Sequence, residues 1–159
     1  MIATGLLKVT SQEFKKYDKG IICGSFDVIH PGYIRMFQDG KKQCKILVIA
    51  LQGDPTLDRP DKCKPVQTLK SRIEILASIK YIDEIITYNT ESELLNLLKS
   101  TPHDVRILGT DYKGREKFTG SELKKPIYYH ERDHDFSTTL LKEAIYEERL
   151  NFKNNNDVE

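Results

Sequence analysis

The segment KILVIAL, residues 45–51, constrains the fold more than any other part of the sequence. Its apolar residues follow one another without alternation, which is typical of a strand buried on both faces of a parallel sheet. The run is a strand's length and far too short to cross a membrane. The segment therefore predicts a parallel sheet covered by helices on both sides.

Other strands and helices are predicted to alternate around this segment. Shorter apolar runs predict strands at KGIICG (19–24), DEIITY (83–88), VRIL (105–108) and PIYYH (126–130). Apolar spacing of helical period and N-terminal signals predict helices over 31–43, 67–80, 90–100 and 137–150. Five strands separated mostly by helices predict an α/β fold with a doubly wound, five-stranded parallel sheet. We expect one domain over residues 1–150 and a flexible tail over 151–159.

Charge and cysteine content restrict the class of protein. Lysine and arginine number 25 against 24 for aspartate and glutamate, so the formal net charge is +1. This balance argues against a general nucleic-acid-binding protein. Three cysteines without CxxC spacing are typical of reduced thiols inside the cell. The N-terminus shows no apolar stretch long enough for a signal peptide, so we expect a cytoplasmic protein without a membrane partner.

The loops that follow the predicted strands indicate where a ligand binds. In doubly wound sheets, ligands bind beyond the carboxyl ends of the strands, near the switch point. The first of these loops, GSFDVIHPG (24–32), contains Gly24 and Ser25, whose backbone N–H groups are exposed in a turn. The helix predicted to begin at Pro31 adds further free N–H groups and the positive end of its dipole. This loop is therefore a candidate site for an anion.

Cations and hydroxyls follow the other strands. Lys62 and Lys64, and also Arg59, lie in the loop after the second strand, and Arg132 follows the fifth. Ser137 and Thr138 stand at the start of the last predicted helix. Each has an ordinary alternative, since lysines in loops are mostly solvated and hydroxyls at helix starts are mostly caps. Together, at corresponding ends of strands, they predict a polyphosphate site.

HERDH, residues 130–134, matches the zinc-protease pattern HExxH, which requires a helix so that both histidines share a face. Here it follows a predicted strand and enters a polar loop. We therefore expect no zinc site and no metal held directly by protein ligands.

Two of these segments resemble the signatures of a known family. GSFDVIHPGY is similar to G-[ST]-F-D-x-x-H-x-G-H, and HERDHDFSTT to R-T-x-G-I-S-T-T, of the cytidylyltransferase-like nucleotidyltransferases of the glycerol-3-phosphate cytidylyltransferase type. The resemblance covers about residues 19–147 and also includes SRIEILASIKYIDEII and ILGTDY. It implies a Rossmann-like nucleotidyltransferase fold. It also implies a reaction in which a small phosphomonoester attacks the α-phosphate of CTP and pyrophosphate leaves with Mg²⁺.

The resemblance also implies partners and site residues. The partners would be CTP, a small phosphorylated acceptor such as glycerol 3-phosphate, and a second copy of the chain in a homodimer. Mg²⁺ would be the cofactor, held mainly by the triphosphate. Arg72 corresponds to a family arginine at a helix start, with a purely structural role as the alternative. The implied catalytic residues are His30, Tyr33, Lys64 and Arg132, and the implied nucleotide-binding residues are Gly24, Ser25, Phe26, Asp27, Lys62, Asp111, Ser137 and Thr138.

Two departures from the signatures leave alternatives open. Tyr33 replaces the second histidine of the first signature, and a phenol brings one hydrogen-bond donor but no positive charge. His134 stands among the residues that replace Thr-x-Gly in the second signature, and it, Arg35 or a lysine could supply the missing donor. Besides a cytidylyltransferase, the sequence is compatible with an ATP-using adenylyltransferase of the same superfamily or with a nucleotide-binding protein that has lost activity.

Overall fold

A five-stranded, all-parallel sheet forms the centre of the fold, with the strand order β3-β2-β1-β4-β5. The computed structural model describes residues 14–156, so the N-terminal segment in which no signal peptide is expected lies outside the described residues. The strands are β1 (Tyr17–Gly24), β2 (Cys44–Gln52), β3 (Glu84–Tyr88), β4 (Val105–Gly109) and β5 (Ile127–His130). The predicted doubly wound parallel sheet is confirmed.

Four helices connect and follow the strands. They are α1 (Pro31–Gln43), α2 (Leu69–Ala77), α3 (Glu91–Ser100) and α4 (Thr138–Asn156). Pro31 occupies the first turn of α1, where its missing N–H costs nothing. The Thr90 hydroxyl caps α3 by accepting a hydrogen bond from the Glu93 amide, as its spacing predicts. All four helices therefore occur in the predicted places, although α2 is shorter than expected at both ends.

The core lies on both faces of the sheet, because successive residues of a strand point to opposite sides. From β2, Leu47 and Ile49 pack on one face with Phe37 and Leu76. Val48 packs on the other face, in the cluster that contains Leu94 of α3. The unbroken apolar run of β2 is thus buried on both sides, as predicted.

The sheet opens at the carboxyl end of β1. β1 pairs with β2 along its length, as far as Gly24, which is opposite Leu51. Its pairing with β4 covers only Gly20 and Ile21. The chain crosses from one side of β1 to the other at this point, so this is the switch point at which such sheets bind ligands.

Helix α4 differs from the other helices because none of its residues is buried. Leu140, Ile145, Leu150 and Phe152 are exposed on it. Residues 151–156, expected to belong to a tail, are the last turns of this helix, and their flexibility stays a prediction. Among the described residues, no helix is long and apolar enough to cross a membrane.

Candidate active site

A cavity of about 880 Å³ lies over the carboxyl ends of the strands at the switch point. Its walls come from the loops after β1, β2 and β4 and from the first turn of α4. Of the residues implied by the sequence, those that line it are Gly24, Ser25, Asp27, Tyr33, Lys62 and Thr138. The remaining ones, Phe26, His30, Lys64, Asp111, Arg132 and Ser137, are not part of its wall, and the places they occupy are described below.

Asp27 holds the first loop in place. Its carboxylate, 4% exposed, accepts hydrogen bonds from the backbone N–H groups of Val66 at 2.8 Å and Gln67 at 2.9 Å. It also pairs with Nζ of Lys142 on α4 at 2.6 Å. Burial alone would raise the pKa of Asp27, but the bonds from Lys142, Gln67 and Val66 outweigh it and hold that pKa below its usual value. Asp27 therefore joins three segments around the cavity.

The backbone of the same loop is strained. Phe26 and Val28 have φ angles of 45° and 53°, a left-handed conformation that is rare for bulky and β-branched residues. Two contacts hold it: the Phe26 ring packs edge-on against Tyr33 at 5.3 Å, and the Val28 amide donates to Oε1 of Gln67 at 3.1 Å. Such strain persists only where the surroundings fix it, and it is concentrated at ligand-binding sites. The loop is thus preformed.

Tyr33 connects the two signature segments. Its hydroxyl lies 3.0 Å from Oγ1 of Thr138, and Oγ1 donates to the carbonyl oxygen of Asp27 at 3.2 Å. Threonine has a single hydroxyl hydrogen, so Tyr33 must be the donor to Thr138. The phenol hydrogen is therefore directed at Thr138.

His30 is the N-cap residue of α1, but its side chain makes no capping hydrogen bond. The ring is 9% exposed and stacks on Tyr33 with centroids 4.2 Å apart. Burial, together with the charges of His134 and Arg132, lowers the pKa of His30 below its usual value. The lowered pKa favours the neutral form of the imidazole at the mouth of α1.

Arg132 and Asp111 come together across the ends of β5 and β4. Nη1 of Arg132 lies 3.9 Å from Oδ1 of Asp111, and the Arg132 amide donates to Oγ1 of Thr110 at 3.4 Å. The Arg132 side chain is 44% exposed. Its long contacts leave most of the guanidinium fork open to an anion.

Of the remaining predicted residues, Ser137 caps a helix, and Lys62 and Lys64 are exposed loop residues. The hydroxyl oxygen of Ser137 accepts a bond from the Leu140 amide at 3.5 Å, which makes it a cap of α4. Lys64 is 78% exposed and lies 3.4 Å from Asp54, whereas Lys62 is exposed at the cavity wall. Both lysines are exposed cations at or beside the cavity wall.

Arg72 is a structural residue in this geometry. It is 2% exposed and donates to the carbonyl oxygens of Ser25 at 2.7 Å, Gln52 at 2.7 Å and Gly53 at 2.6 Å. These carbonyls belong to the ends of β1 and β2 and the loops that follow them. The guanidinium therefore fixes the floor of the site.

Sequence reasoning missed Arg106, which lines the cavity, and gave Arg59, which also lines it, no definite role. Arg59 donates to Oε1 of Gln52 at 2.6 Å and pairs with Glu91 at 3.3 Å. Arg106 is buried on β4, with its guanidinium 5.3 Å from the centre of the Phe118 ring. The signal for Arg106 was present, because a charged residue interrupts the apolar strand VRIL.

The HERDH segment does not form a zinc-protease site. His130 ends β5, and residues 131–134 are not helical, so the two histidines do not share a helix face. Nδ1 of His130 instead lies 2.8 Å from Asp39 on α1. Within residues 14–156, no group of three or more histidines, cysteines and acidic residues is placed to hold a metal ion.

Comparisons with known proteins identify the family of the chain. A family model described as "Cytidylyltransferase-like" matches residues 21–144. The protein named "Bifunctional protein HldE" from Helicobacter pylori J99 is 31% identical over 124 residues, which is 77% of this chain and 26% of that protein. The protein of the same name from Hyphomonas neptunium is 30% identical over 105 residues, 65% of this chain and 21% of that protein. The chain thus spans about a quarter of the length of these curated relatives.

Solved structures show the same fold. A crystal structure of the lipopolysaccharide core biosynthesis protein from Thermoplasma volcanium has a TM-score of 0.59 at 23% identity, covering 75% of this chain and 99% of that one. Pantoate-beta-alanine ligase from Francisella tularensis, complexed with beta-gamma ATP and beta-alanine, has a TM-score of 0.54 at 16% identity. It covers 77% of this chain and 62% of that one. At these identities the likeness concerns the fold alone.

Proposed function

The chain belongs to the cytidylyltransferase-like family, and on that premise we propose that it transfers a nucleotidyl group from a nucleoside triphosphate to a small phosphomonoester. The observation that carries this proposal is the meeting of the two signature segments at one cavity. Tyr33 of the first segment and Thr138 of the second lie in contact at the switch point of the sheet. A preformed loop, two helix N-termini and nearby cations surround the space that a triphosphate needs.

The proposed reaction is a single in-line displacement. An oxygen of the acceptor phosphate forms a bond to the α-phosphorus, the bond from the α-phosphorus to the bridging oxygen of the β-phosphate breaks, and pyrophosphate leaves. No covalent enzyme intermediate is involved, so catalysis consists of positioning and of stabilising the developing charge. His30, Lys64 and Arg132 supply the donors and cations. Tyr33 contributes by positioning His30 through stacking and Thr138 through its hydrogen bond.

The nucleotide is proposed to lie against the loops after β1 and β4 and the start of α4. Phe26 and Asp27 would act by holding the first loop. The Phe26 ring packs on Tyr33, and the Asp27 carboxylate is bonded to Val66 and Lys142, so neither side chain is free for the nucleotide. The residues proposed to touch the nucleotide are Gly24, Ser25, Lys62, Asp111, Ser137 and Thr138.

Mg²⁺ is the cofactor that this chemistry calls for. No cluster of metal ligands occurs in the described part of the chain, and the Asp27 carboxylate is already occupied by two amides and Lys142. These contacts fit an ion held mainly by the oxygens of the triphosphate, with Asp111, a half-exposed carboxylate 3.9 Å from Arg132, beside it. When bound, the ion would neutralise charge on the departing pyrophosphate.

We propose CTP as the donor and a polyol phosphate such as glycerol 3-phosphate as the acceptor, on the strength of the signature resemblance. The relatives reported above are named HldE and not as cytidylyltransferases, and for this reason ATP is kept as a second candidate donor.

Two further proposals are a homodimer, supported by the exposed apolar residues of α4, and a cytoplasmic location, supported by three free cysteines.

Pyrophosphate release tests the function directly. The protein is incubated with Mg²⁺, with CTP or ATP, and with a panel of polyol phosphates and sugar phosphates. Release with CTP supports the cytidylyltransferase, and release only with ATP supports the adenylyltransferase. Tight nucleotide binding without release for any acceptor supports an inactive nucleotide-binding protein, whereas no binding of either nucleotide overturns the proposal. Light scattering of the purified chain tests the dimer.

A further inference from the structure

Two imidazole rings meet at Gly32, in the first turn of α1. A Cβ atom at Gly32 would lie 2.6 Å from Cε1 of His134 and 3.0 Å from Cε1 of His30. Real Cβ atoms do not come as close as the first of these distances, so only glycine leaves room for both rings. His30 belongs to the first signature segment and His134 to the second. The fold thus brings together two histidines that are far apart in the sequence.

Three of the four nitrogen atoms of these rings lack hydrogen-bond partners. In the part of the chain that the structure describes, Nδ1 of His30 and both Nδ1 and Nε2 of His134 are buried without a partner. Buried polar groups almost always have partners, and an orphaned one is costly. Three such atoms beside a candidate active site indicate that a ligand supplies the missing partner.

The surroundings favour an anionic ligand. The rings lie at the N-terminal end of α1, where the helix dipole attracts negative charge. Arg132 is close enough to affect His30 electrostatically, and the guanidinium of Arg35 lies 5.2 Å from the centre of the Phe136 ring. Phe136 in turn packs against His134 at 5.2 Å and against His30 at 6.3 Å, and it is itself exposed. The two imidazoles therefore lie one side chain below the surface, among cations.

Tyr33 is not available for the same task, although it lines the cavity and stacks on His30. Its hydroxyl hydrogen is directed at Thr138. A second donor to the reacting phosphate must then come from another residue, and His134 is the unpartnered donor next to His30.

We propose that His134 is a catalytic residue, which donates a hydrogen bond from its ring to the phosphoryl group in transfer, beside His30. This inference rests on the proposed function. It assigns to the segment between β5 and α4 a role in the chemical step, as well as in binding the leaving pyrophosphate through Arg132. The bonds formed and broken are those of the displacement described above. His134 donates a hydrogen bond but neither gains nor loses a proton in the step.

Nitrogen NMR of the imidazole rings tests the contact without depending on turnover. The chain contains four histidines, so the full set of ring signals can be assigned. Titration with CTP or ATP in the presence of Mg²⁺ is expected to shift the ring nitrogens of both His30 and His134. His103, whose Nδ1 lies 2.8 Å from the Thr101 carbonyl, serves as the internal control and should stay unchanged. A shift of His30 with His134 unmoved would overturn the inference while leaving the proposed function intact. Absence of any nucleotide binding would overturn the proposed function itself.

Steady-state kinetics with the nucleotide and acceptor that support turnover give a second test. His134→Ala is expected to lower kcat by about 10²–10³-fold, the usual loss for one transition-state donor. His134→Gln, which keeps an N–H donor, should recover part of that loss. Glu131→Gln, in the same exposed segment, is the matched control and should stay within about twofold of the parent protein. Unchanged turnover in His134→Ala would overturn the inference.

Gly32→Ala tests whether the position of the His134 ring matters, because it moves the ring without removing it. The substitution keeps both histidines and introduces a residue that helices favour over glycine. Its Cβ would displace His134, so kcat should fall although the protein remains folded, as checked by circular dichroism. A Gly32→Ala protein with full activity and an unchanged His134 signal would contradict the proposed placement.

Discussion

The hydroxyl of Tyr33, in the first turn of α1, lies 3.0 Å from Oγ1 of Thr138, the first residue of α4. The bond joins the two segments that carry most of the candidate site, although they are 105 residues apart in the sequence. Thr138 passes the connection on to the backbone of Asp27, so the first loop, α1 and α4 are held as one unit. Tyr33 is thereby a positioning residue.

Tyr33→Phe is expected to lower kcat/KM by about tenfold and the free energy of unfolding by about 1 kcal/mol, because it removes one partly buried hydrogen bond and keeps the stacked ring. Thr138→Val removes the acceptor of the same bond and should act in the same direction. Thr138→Val also removes the bond to the Asp27 carbonyl, but both changes break the Tyr33–Thr138 contact, so the loss in the double variant should be smaller than the sum of the single losses. Chemical unfolding of the four proteins measures the coupling, and fully additive losses would show that the bond has no energetic role.

Asp27→Ala is expected to destabilise the protein by roughly 3 kcal/mol, because it leaves two amides and the Lys142 ammonium without their buried partner. The pKa of Asp27 is lower in the folded protein than in the unfolded chain, where it is near 3.9. Its contribution is therefore fully present above about pH 4 and is lost as the pH falls through the folded-state value. The difference between the parent and Asp27→Ala should be constant between pH 5 and 8 and shrink in acid.

Urea unfolding at several pH values measures this difference. Lys142→Met is the matched control, since it removes one partner of the carboxylate and leaves both amide bonds, and it should cost less than Asp27→Ala. A parent protein whose advantage over Asp27→Ala grew in acid would contradict the assignment.

The sequence predicts the order of strands and helices because apolar periodicity reflects burial directly. The run at 45–51 is buried on both faces, and Pro31 and Thr90 mark the starts of their helices as their chemistry requires. The position of the site also follows, because the ends of parallel strands converge at one edge. Strands, helix starts and the edge of the sheet that holds the site can be predicted because they depend on residues that are neighbours along the chain.

The roles of single side chains depend on neighbours across the fold, and these were not visible in the sequence. Asp27 has the residue type of a metal or nucleotide ligand, yet three internal partners occupy it. Arg106 lines the cavity because the chain after β1 separates from β4, a feature that no strand pattern encodes. The approach of both His134 and His30 to Gly32 depends on the missing Cβ at that position, which the sequence pattern does not reveal.

Arg132→Ala is expected to lower kcat/KM by about 10²–10³-fold through loss of charge stabilisation on the phosphates. Its effect on stability should stay within about 0.5 kcal/mol, because its contacts to Asp111 and Phe136 are long and the side chain is half exposed. Arg132→Lys keeps the charge but loses the planar fork, so it should recover only part of the activity. Arg149→Ala, an exposed arginine on α4 stacked on Phe152, is the control for removing a surface charge. Equal losses in Arg132→Ala and Arg149→Ala would contradict a specific role.

The three cysteines should react with a thiol reagent at very different rates. Burial raises the pKa of Cys23 to about 11, despite the opposing charge of Arg106, and only the thiolate reacts. At pH 8 the thiolate fraction of Cys23 is then about 10⁻³. Cys44 is buried and its pKa is raised as well, whereas Cys63 is exposed. One rapid equivalent is expected at pH 8, and Cys63→Ser should remove it. Because Cys23 lines the cavity, its slow labelling should accelerate toward pH 11 and be suppressed by bound substrates. A rapid phase that persists in Cys63→Ser would show that the thiol of Cys23 or Cys44 is accessible and ionised, which contradicts their burial and raised pKa.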